Sequence, residues 1–436
     1  MLDPKDINEI LKLVDLKFNH KNFTDTFLPG TSNVPVSGKV IDKDDIKKMI
    51  EACLDGWLTT GRFNKIFEKN ITEFTGSKLA ITVNSGSSAN LLAFMTLTSE
   101  KLKERAIKVG DEIITVAAGF PTTVNPILQF GAIPVFIDIE IPTYNIDISK
   151  IEKAITKKTK AIMIAHTMGN PFDVKSIREI CDKYNLWLIQ DTCDALGAKF
   201  DNKKLGYYGD IGTVSFYPAH HITMGEGGLV YTNSIKLKMI AESFRDWGRD
   251  CYCEPGKDNT CNKRFEWKLG DLPFGYDHKY TYSHLGYNLK ITDMQAACGV
   301  SQLSKLDGFI NQRIINHAYL YDKFKKFEDY FILPEKTKNS EPSWFGFLLT
   351  IKNKKIIRND LIKFLNMNKI GTRLLFAGNI TKQPYMKNLK YRIEGSLENT
   401  DKVMTESFWI GVYPGLNRKH LDYICSIVEN YINKIR

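Results

Sequence analysis

The sequence predicts an α/β protein: a mostly parallel sheet covered by helices, followed by a smaller α+β unit. Between residues 79 and 232 short apolar runs alternate with stretches of helical spacing, the pattern of strands buried on both faces and joined by crossover helices. Near residue 320 that rhythm gives way to an isolated apolar run, FGFLLTI, with helical stretches around it. At 436 residues the chain is long enough for two packed units.

Composition narrows the function classes. A hydrophobic fraction of 43% and a charged fraction of 25% are ordinary for a globular protein. The net charge of +10 is spread along the chain, with no dense Lys/Arg run interleaved with aromatics, which argues against nucleic acid as a partner. A basic surface suits an anionic small molecule or an acidic protein equally. The opening MLDPKDINEILKLVDLKF has early acidic residues and helical spacing, unlike a signal peptide, and no apolar run reaches the ~20 residues of a membrane span. A cytoplasmic location is therefore expected, where the eight cysteines serve as thiols, metal ligands or catalytic groups in preference to disulfides.

Taken in order, residues 1–45 read as an N-terminal arm, one amphipathic helix and a Pro/Gly-containing extended piece, DTFLPGTSNVPVSGKVID. Residues 46–320 form the large unit. Helical spacing in DDIKKMIEACLDG and TTGRFNKIFEKNITEFTG precedes strands at LAITV, EIITV, AIPVFID, AIMIAH, LWLIQD, GTVSFY and GLVYT. Helices are expected over SSANLLAFMTLTSEKL and VKSIREICDKYN. Residues 249–280 lack periodicity and carry two proline turns, so they read as an ordered insertion. A long helical section from GYNLK to about residue 320 leads into the small unit, 321–436, with FGFLLTI, a helix over NDLIKFLNMN, IGTRLLFAG and a terminal helix after Arg418.

Four places carry chemistry. In VNSGSSANLLA a strand ends in a small-residue turn at a helix start, which makes either a phosphate cradle or a plain serine cap. Asp191 ends a buried strand, where a carboxylate needs a cation or donors, either from a bound protonated ring nitrogen or from the following turn. Phe120 follows another strand end and either lies on a bound ring or joins the core. The loop SFYPAHHITMGEGG, Ser215 to Gly228, presents adjacent histidines at a strand edge, suited to proton transfer or simply held by hydrogen bonds.

In this order, NSGSSANLLA, GFPTTVNPI, IQDTCDALGA, SFYPAHHITMGEGG and LGYNLKITDMQAA resemble the sugar aminotransferase/dehydratase family of the aspartate aminotransferase fold, which is fold type I among pyridoxal phosphate enzymes. The resemblance covers the chain from about Gly61 onward. It implies that Gly86, Ser87 and Ser215 bind phosphate, Phe120 stacks on the ring, Asp191 pairs with its nitrogen and Asn288 reaches the cofactor of a partner subunit in a homodimer. One departure matters most: His220 stands where the family has the lysine that tethers the cofactor. Imidazole cannot form that link, so pyridoxamine 5′-phosphate, bound without a covalent bond, becomes the expected resting form, with His220 as base for a dehydration. His221 is expected to be structural. Asp194 departs from the amide or histidine of many members and is expected near the ring, with Tyr217 and Phe345 near the sugar. Arg373 and Lys382 are candidates for phosphate contacts.

Cys251, Cys253 and Cys261 crowd the insertion as C-x-C-x7-C, and Cys193 lies two residues past Asp191. By spacing alone zinc or no metal is favoured. Together with His220, however, the set resembles the CDP-4-keto-6-deoxy-D-glucose 3-dehydrase branch of the family, which implies a 2Fe-2S cluster on these four thiols. It also implies a nucleotide-linked keto-sugar substrate and an NADH-dependent iron–sulfur flavoprotein reductase as electron donor. The GDP-4-keto-6-deoxymannose 3-dehydratase branch, which uses glutamate and no cluster, is the alternative. A non-enzymatic ligand binder with structural zinc is the third reading.

Overall fold

Seven of the apolar runs become strands of one sheet: β1 (Leu79–Val83), β2 (Glu112–Val116), β3 (Ile133–Ile137), β4 (Thr159–Ala165), β5 (Trp187–Asp191), β6 (Ile211–Ser215) and β7 (Gly228–Thr232). An eighth, β8 (Arg392–Ile393), arrives from the C-terminal third and pairs with β3. In this computed structural model, which describes residues 4–19, 27–253 and 256–435, the strand order is β1-β7-β6-β5-β4-β2-β3-β8. Every pair from β6 to β8 is parallel, while β7 runs against both β1 and β6. β1 therefore points the same way as the parallel strands, and their carboxyl ends share one edge.

Side chains alternate across a strand, so one sheet feeds two cores. On one face Ile114, Ile162, Ile164 and Leu188 pack with Val174, Ile177 and Cys181 of the Val174–Lys183 helix. On the other, Ile113, Met163, Ile189 and Ile211 meet Leu92, Ala93 and Phe94 of the Gly86–Thr96 helix and Leu237, Ile240 and Ala241 of the Ile235–Arg245 helix. Cover on both faces is why these strands are apolar runs without alternation.

The C-terminal third has its own core. Strands Phe331–Ile332, Gly346–Ile351 and Ser407–Gly411 form an antiparallel sheet, packed with the Arg358–Met367 and Arg418–Ile435 helices. The last of these strands, SFWIG, carries no period signal and pairs along its length with Gly346–Ile351. IGTRLLFAG, in contrast, forms no strand; it makes single bridges from Ile370 to Val34 and from Arg373 to Trp409. The long helical section divides into Asp293–Leu303 and Leu306–Phe324. The second spans both units, with Leu306 in a large-unit cluster and Leu320 and Phe324 in the small-unit core. The arm's helix covers Pro4–Asn19; beyond it Phe27 and Val34 are buried in the small-unit core, while Asp25 and Thr26 of the extended piece lie outside the described residues. Among the described residues, no helix is long and apolar enough to cross a membrane.

Candidate active site

Four turns meet at the carboxyl edge of the sheet, one each after β1, β2, β5 and β6. After β1, Ser85 caps the Gly86–Thr96 helix, its Oγ accepting from the Ser88 N–H at 3.0 Å. The cap thus uses Ser85 and leaves Ser87 exposed at the helix start, where free N–H groups favour an anion. Gly86 is packed tightly here: a Cβ on it would stand 2.5 Å from Ser215 Cβ, at the end of β6. After β2, Phe120 precedes the Pro121–Phe130 helix with 49% of its surface exposed. Its ring meets Phe376 edge-on at 5.7 Å.

Asp191 ends β5 and is buried, with its oxygens directed by the surrounding turns. Asn90 Nδ2 and Thr123 Oγ1 donate to Oδ2 at 2.8 and 2.7 Å, and the Cys193 N–H donates to Oδ1 at 3.1 Å. Thr213 in turn donates to Asn90 Oδ1 at 2.7 Å, which fixes the amide with its NH₂ toward the carboxylate. All four side chains are buried. Such neutral donors satisfy the carboxylate without cancelling its charge, so it can still pair with a cation.

His220 and His221 follow β6, and the structure separates their roles. His221 is buried, and its Nε2 meets the Ser343 carbonyl at 2.9 Å. His220 Nδ1 lies 3.5 Å from Asp194 Oδ1 and has no hydrogen-bond partner. Burial pushes the His220 pKa down to about 4, against the pull of Asp191, so the imidazole is neutral. Burial, with Asp191 nearby, raises the Asp194 carboxyl well above the usual range. A neutral imidazole carries one unprotonated ring nitrogen, which can accept a proton.

The remaining predicted residues distribute around this centre. Tyr217 stands at the rim, 52% exposed. Phe345 is 4% exposed, wedged between His220 at 5.2 Å and Trp409 at 5.3 Å between centroids, so it forms the wall behind the imidazole. Arg373 and Asn288 are exposed, and Lys382 pairs with Asp401 at 2.6 Å. Asn90, Thr123, Thr213 and Arg313 were not legible as site residues. Asn90 and Thr123 each lie one helical turn past a turn that was read, which is the signal that could have found them.

Cys251, Cys253 and Cys261 line one small pocket with Asn259, Arg264, His278 and Lys279. Cys253 Sγ contacts Thr260 Oγ1 at 3.0 Å. Cys193 is not part of that lining; it lies beside Asp191 and Thr213, where burial raises its thiol pKa well above the ordinary value. Among the described residues no group of three or more His, Cys, Asp or Glu side chains could hold a metal ion as it stands.

The profile of the DegT/DnrJ/EryC1/StrS aminotransferase family matches residues 39–429. The chain belongs to this family. Over 97% of each chain it is 61% identical to the lipopolysaccharide biosynthesis protein RfbH of Salmonella typhimurium. It is 48% identical to the dTDP-4-dehydro-2,6-dideoxy-D-glucose 3-dehydratase of Saccharopolyspora spinosa, over 96% of this chain and 90% of that one. Among solved structures, E. coli GDP-4-keto-6-deoxy-D-mannose 3-dehydratase with bound hydrated PLP superposes with a TM-score of 0.81, at 31% identity over 91% of this chain and 99% of that one. As a member of this family the chain is an enzyme with the aminotransferase fold, which sets aside the reading of a simple binding protein.

Proposed function

We propose that this enzyme removes the C3 hydroxyl of a nucleotide-linked 4-keto-6-deoxyhexose, CDP-4-keto-6-deoxy-D-glucose, using pyridoxamine 5′-phosphate. The observation that carries the reading is His220: a buried imidazole on the loop after β6, with Nδ1 3.5 Å from Asp194 Oδ1 and held neutral by burial, where the resemblance puts the tethering lysine. The crevice suits the cofactor. An unneutralised buried carboxylate, a half-exposed aromatic ring and an exposed serine at a helix start lie along one sheet edge. When bound, the cofactor supplies an amine for the sugar's keto carbon and a ring able to take up an electron pair. Asp191 would hold a proton on the ring nitrogen, Phe120 would cover one ring face, and Ser87, Ser215 and the backbone at Gly86 would hold the phosphate. His220 would accept a proton from the cofactor's C4′ carbon. Tyr217 and Arg373 would border the sugar and its phosphates. The names of the Saccharopolyspora and E. coli relatives, both 3-dehydratases, support this reading, and that of the Salmonella relative supports a role in lipopolysaccharide biosynthesis.

Replacing C3–OH by C3–H consumes two electrons and two protons and releases water. The proposal therefore includes a 2Fe-2S cluster on Cys193, Cys251, Cys253 and Cys261 and an NADH-dependent iron–sulfur flavoprotein reductase as donor. Three of the four thiols in one pocket support it. Iron and acid-labile sulfide analysis of anaerobically purified protein tests it. Well-folded protein that cannot be reconstituted would overturn the cluster. The GDP-sugar reading, with glutamate regenerating the cofactor, is supported by the E. coli structure. Turnover with glutamate and no reductase would decide for it. The exposed position of Asn288 is compatible with a homodimer in which it reaches the partner's cofactor.

A further inference from the structure

We propose that Arg313 is the positioning residue for His220, clamping the imidazole in place through backbone carbonyls without touching substrate. The proposal rests on the reading of His220 as the base.

Arg313, from the Leu306–Phe324 helix, is 1% exposed. Its guanidinium grips two segments at once. Nη2 donates to the carbonyls of His220 at 2.9 Å and Ala219 at 3.3 Å; Nη1 donates to those of Phe345 at 3.1 Å and Trp344 at 3.4 Å. The first pair belongs to the histidine loop and the second to the chain entering the Gly346–Ile351 strand. Among the described residues it makes no ion pair within 4.0 Å; the Asp194 carboxyl acts on it from further off, and its Nε has no hydrogen-bond partner. Burying a cation is costly, and four carbonyls in a planar fork are compensation that arginine can use and lysine cannot.

The same two segments are tied a second time by His221 Nε2 and the Ser343 carbonyl, 2.9 Å apart. Phe345, held by the clamp, is also the ring against which His220 rests. Arg313 therefore fixes both the backbone that carries the imidazole and the wall behind it. The charged and titratable groups facing His220 are Asp191, Asp194, His221, Arg313 and, through its backbone, Cys193. Arg313 is the cation among them, and its charge disfavours a protonated imidazole, in keeping with a base that must start neutral.

Arg313→Lys and Arg313→Met, made in the full-length, cofactor-loaded protein, test the clamp. The readouts are kcat and KM for the CDP-linked keto sugar, the acid limb of the kcat profile, and the His220 ring signal in protein carrying ¹³C-labelled histidine, assigned by its loss in His220→Asn. Both variants are expected to hold cofactor, with kcat reduced on the order of 100-fold in Arg313→Met, KM little changed and Arg313→Lys intermediate. The His220 signal shifts in both. The acid limb rises in Arg313→Met, where the charge is gone, and stays in place in Arg313→Lys. Wild-type kcat with an unmoved ring signal in either variant overturns the proposal; if Arg313→Met does not fold, Arg313→Lys alone decides, because it loses the fork and keeps the charge. Unreduced turnover by His220→Asn would instead overturn the base reading, and a displaced ring signal in the Arg313 variants would still support the clamp.

Discussion

His220 and Asp191 show how single side chains take their properties from their surroundings. With its pKa near 4, His220 is neutral well below the pH at which an ordinary histidine is half protonated. Activity limited by this base is therefore expected to persist as pH falls through 6.5 and to decline near 4; an acid limb centred at 6.5 would contradict the assignment. His220→Asn should abolish solvent exchange at the cofactor's C4′ while leaving its absorbance intact, and exchange at the wild-type rate would rule the base out. For Asp191 the expected cost is structural as well as chemical. Asp191→Ala strands the Asn90 amide and the Thr123 hydroxyl, each costing about 1–3 kcal/mol of stability by the usual penalty for a buried unmet donor. Denaturant melts of the cofactor-free protein would measure it.

Elements explain what sequence reading reached and what it missed. Strand ends and turns were legible because small residues and apolar runs punctuate them, so Ser85–Ser88, Phe120, Asp191 and His220 could each be placed at a strand's carboxyl end. Their convergence depends on β1 being parallel to β6 across an antiparallel β7, a pairing that no local pattern encodes. The tight contact of Gly86 with Ser215 is a product of that pairing. Gly86→Ala should cost about 1–3 kcal/mol through overpacking and should weaken phosphate affinity, checked by melting and by cofactor titration. Arg313 stayed hidden for the same reason: it reads as an ordinary helical arginine until two distant segments offer it carbonyls. The insertion was legible only as an irregular stretch. Without periodicity, its fold rests on particular pairs such as Arg264 with Asp277 at 2.7 Å and His278 with Asp250 at 2.9 Å. If the thiols there bind iron, Cys251→Ser and Cys261→Ser should lower bound iron without changing the melting temperature of the iron-free protein. Cys298→Ser, whose thiol donates to the Thr223 carbonyl in the core, should leave iron unchanged.

Over the whole molecule, buried neutral histidines set the response to acid. Burial lowers His166 and His317 to about 3, His220 and His284 to about 4, and His221 well below its ordinary value. Each is protonated more readily in the unfolded chain, so its contribution to stability is complete above about pH 6.5 and is lost as pH falls toward the folded value. Asp194 and Glu68, whose carboxyls are raised by burial, act in the opposite sense. The histidines outnumber them, and stability should fall between pH 6.5 and 4.5, as followed by the melting temperature. A flat profile would show that these sites open to solvent.

The small unit's core draws on both ends of the chain. Val34 donates its N–H to the Lys369 carbonyl and accepts from the Gly371 N–H, each at 2.8 Å, and the Phe27 ring lies 4.1 Å from that of His420. During synthesis Phe27 and Val34 leave the ribosome first and their partners last. Until those partners emerge, two apolar side chains of the arm have no native place to go, and the large unit can complete its sheet only when β8 arrives from the same late segment. The small unit's core can therefore close only after these late segments have been made.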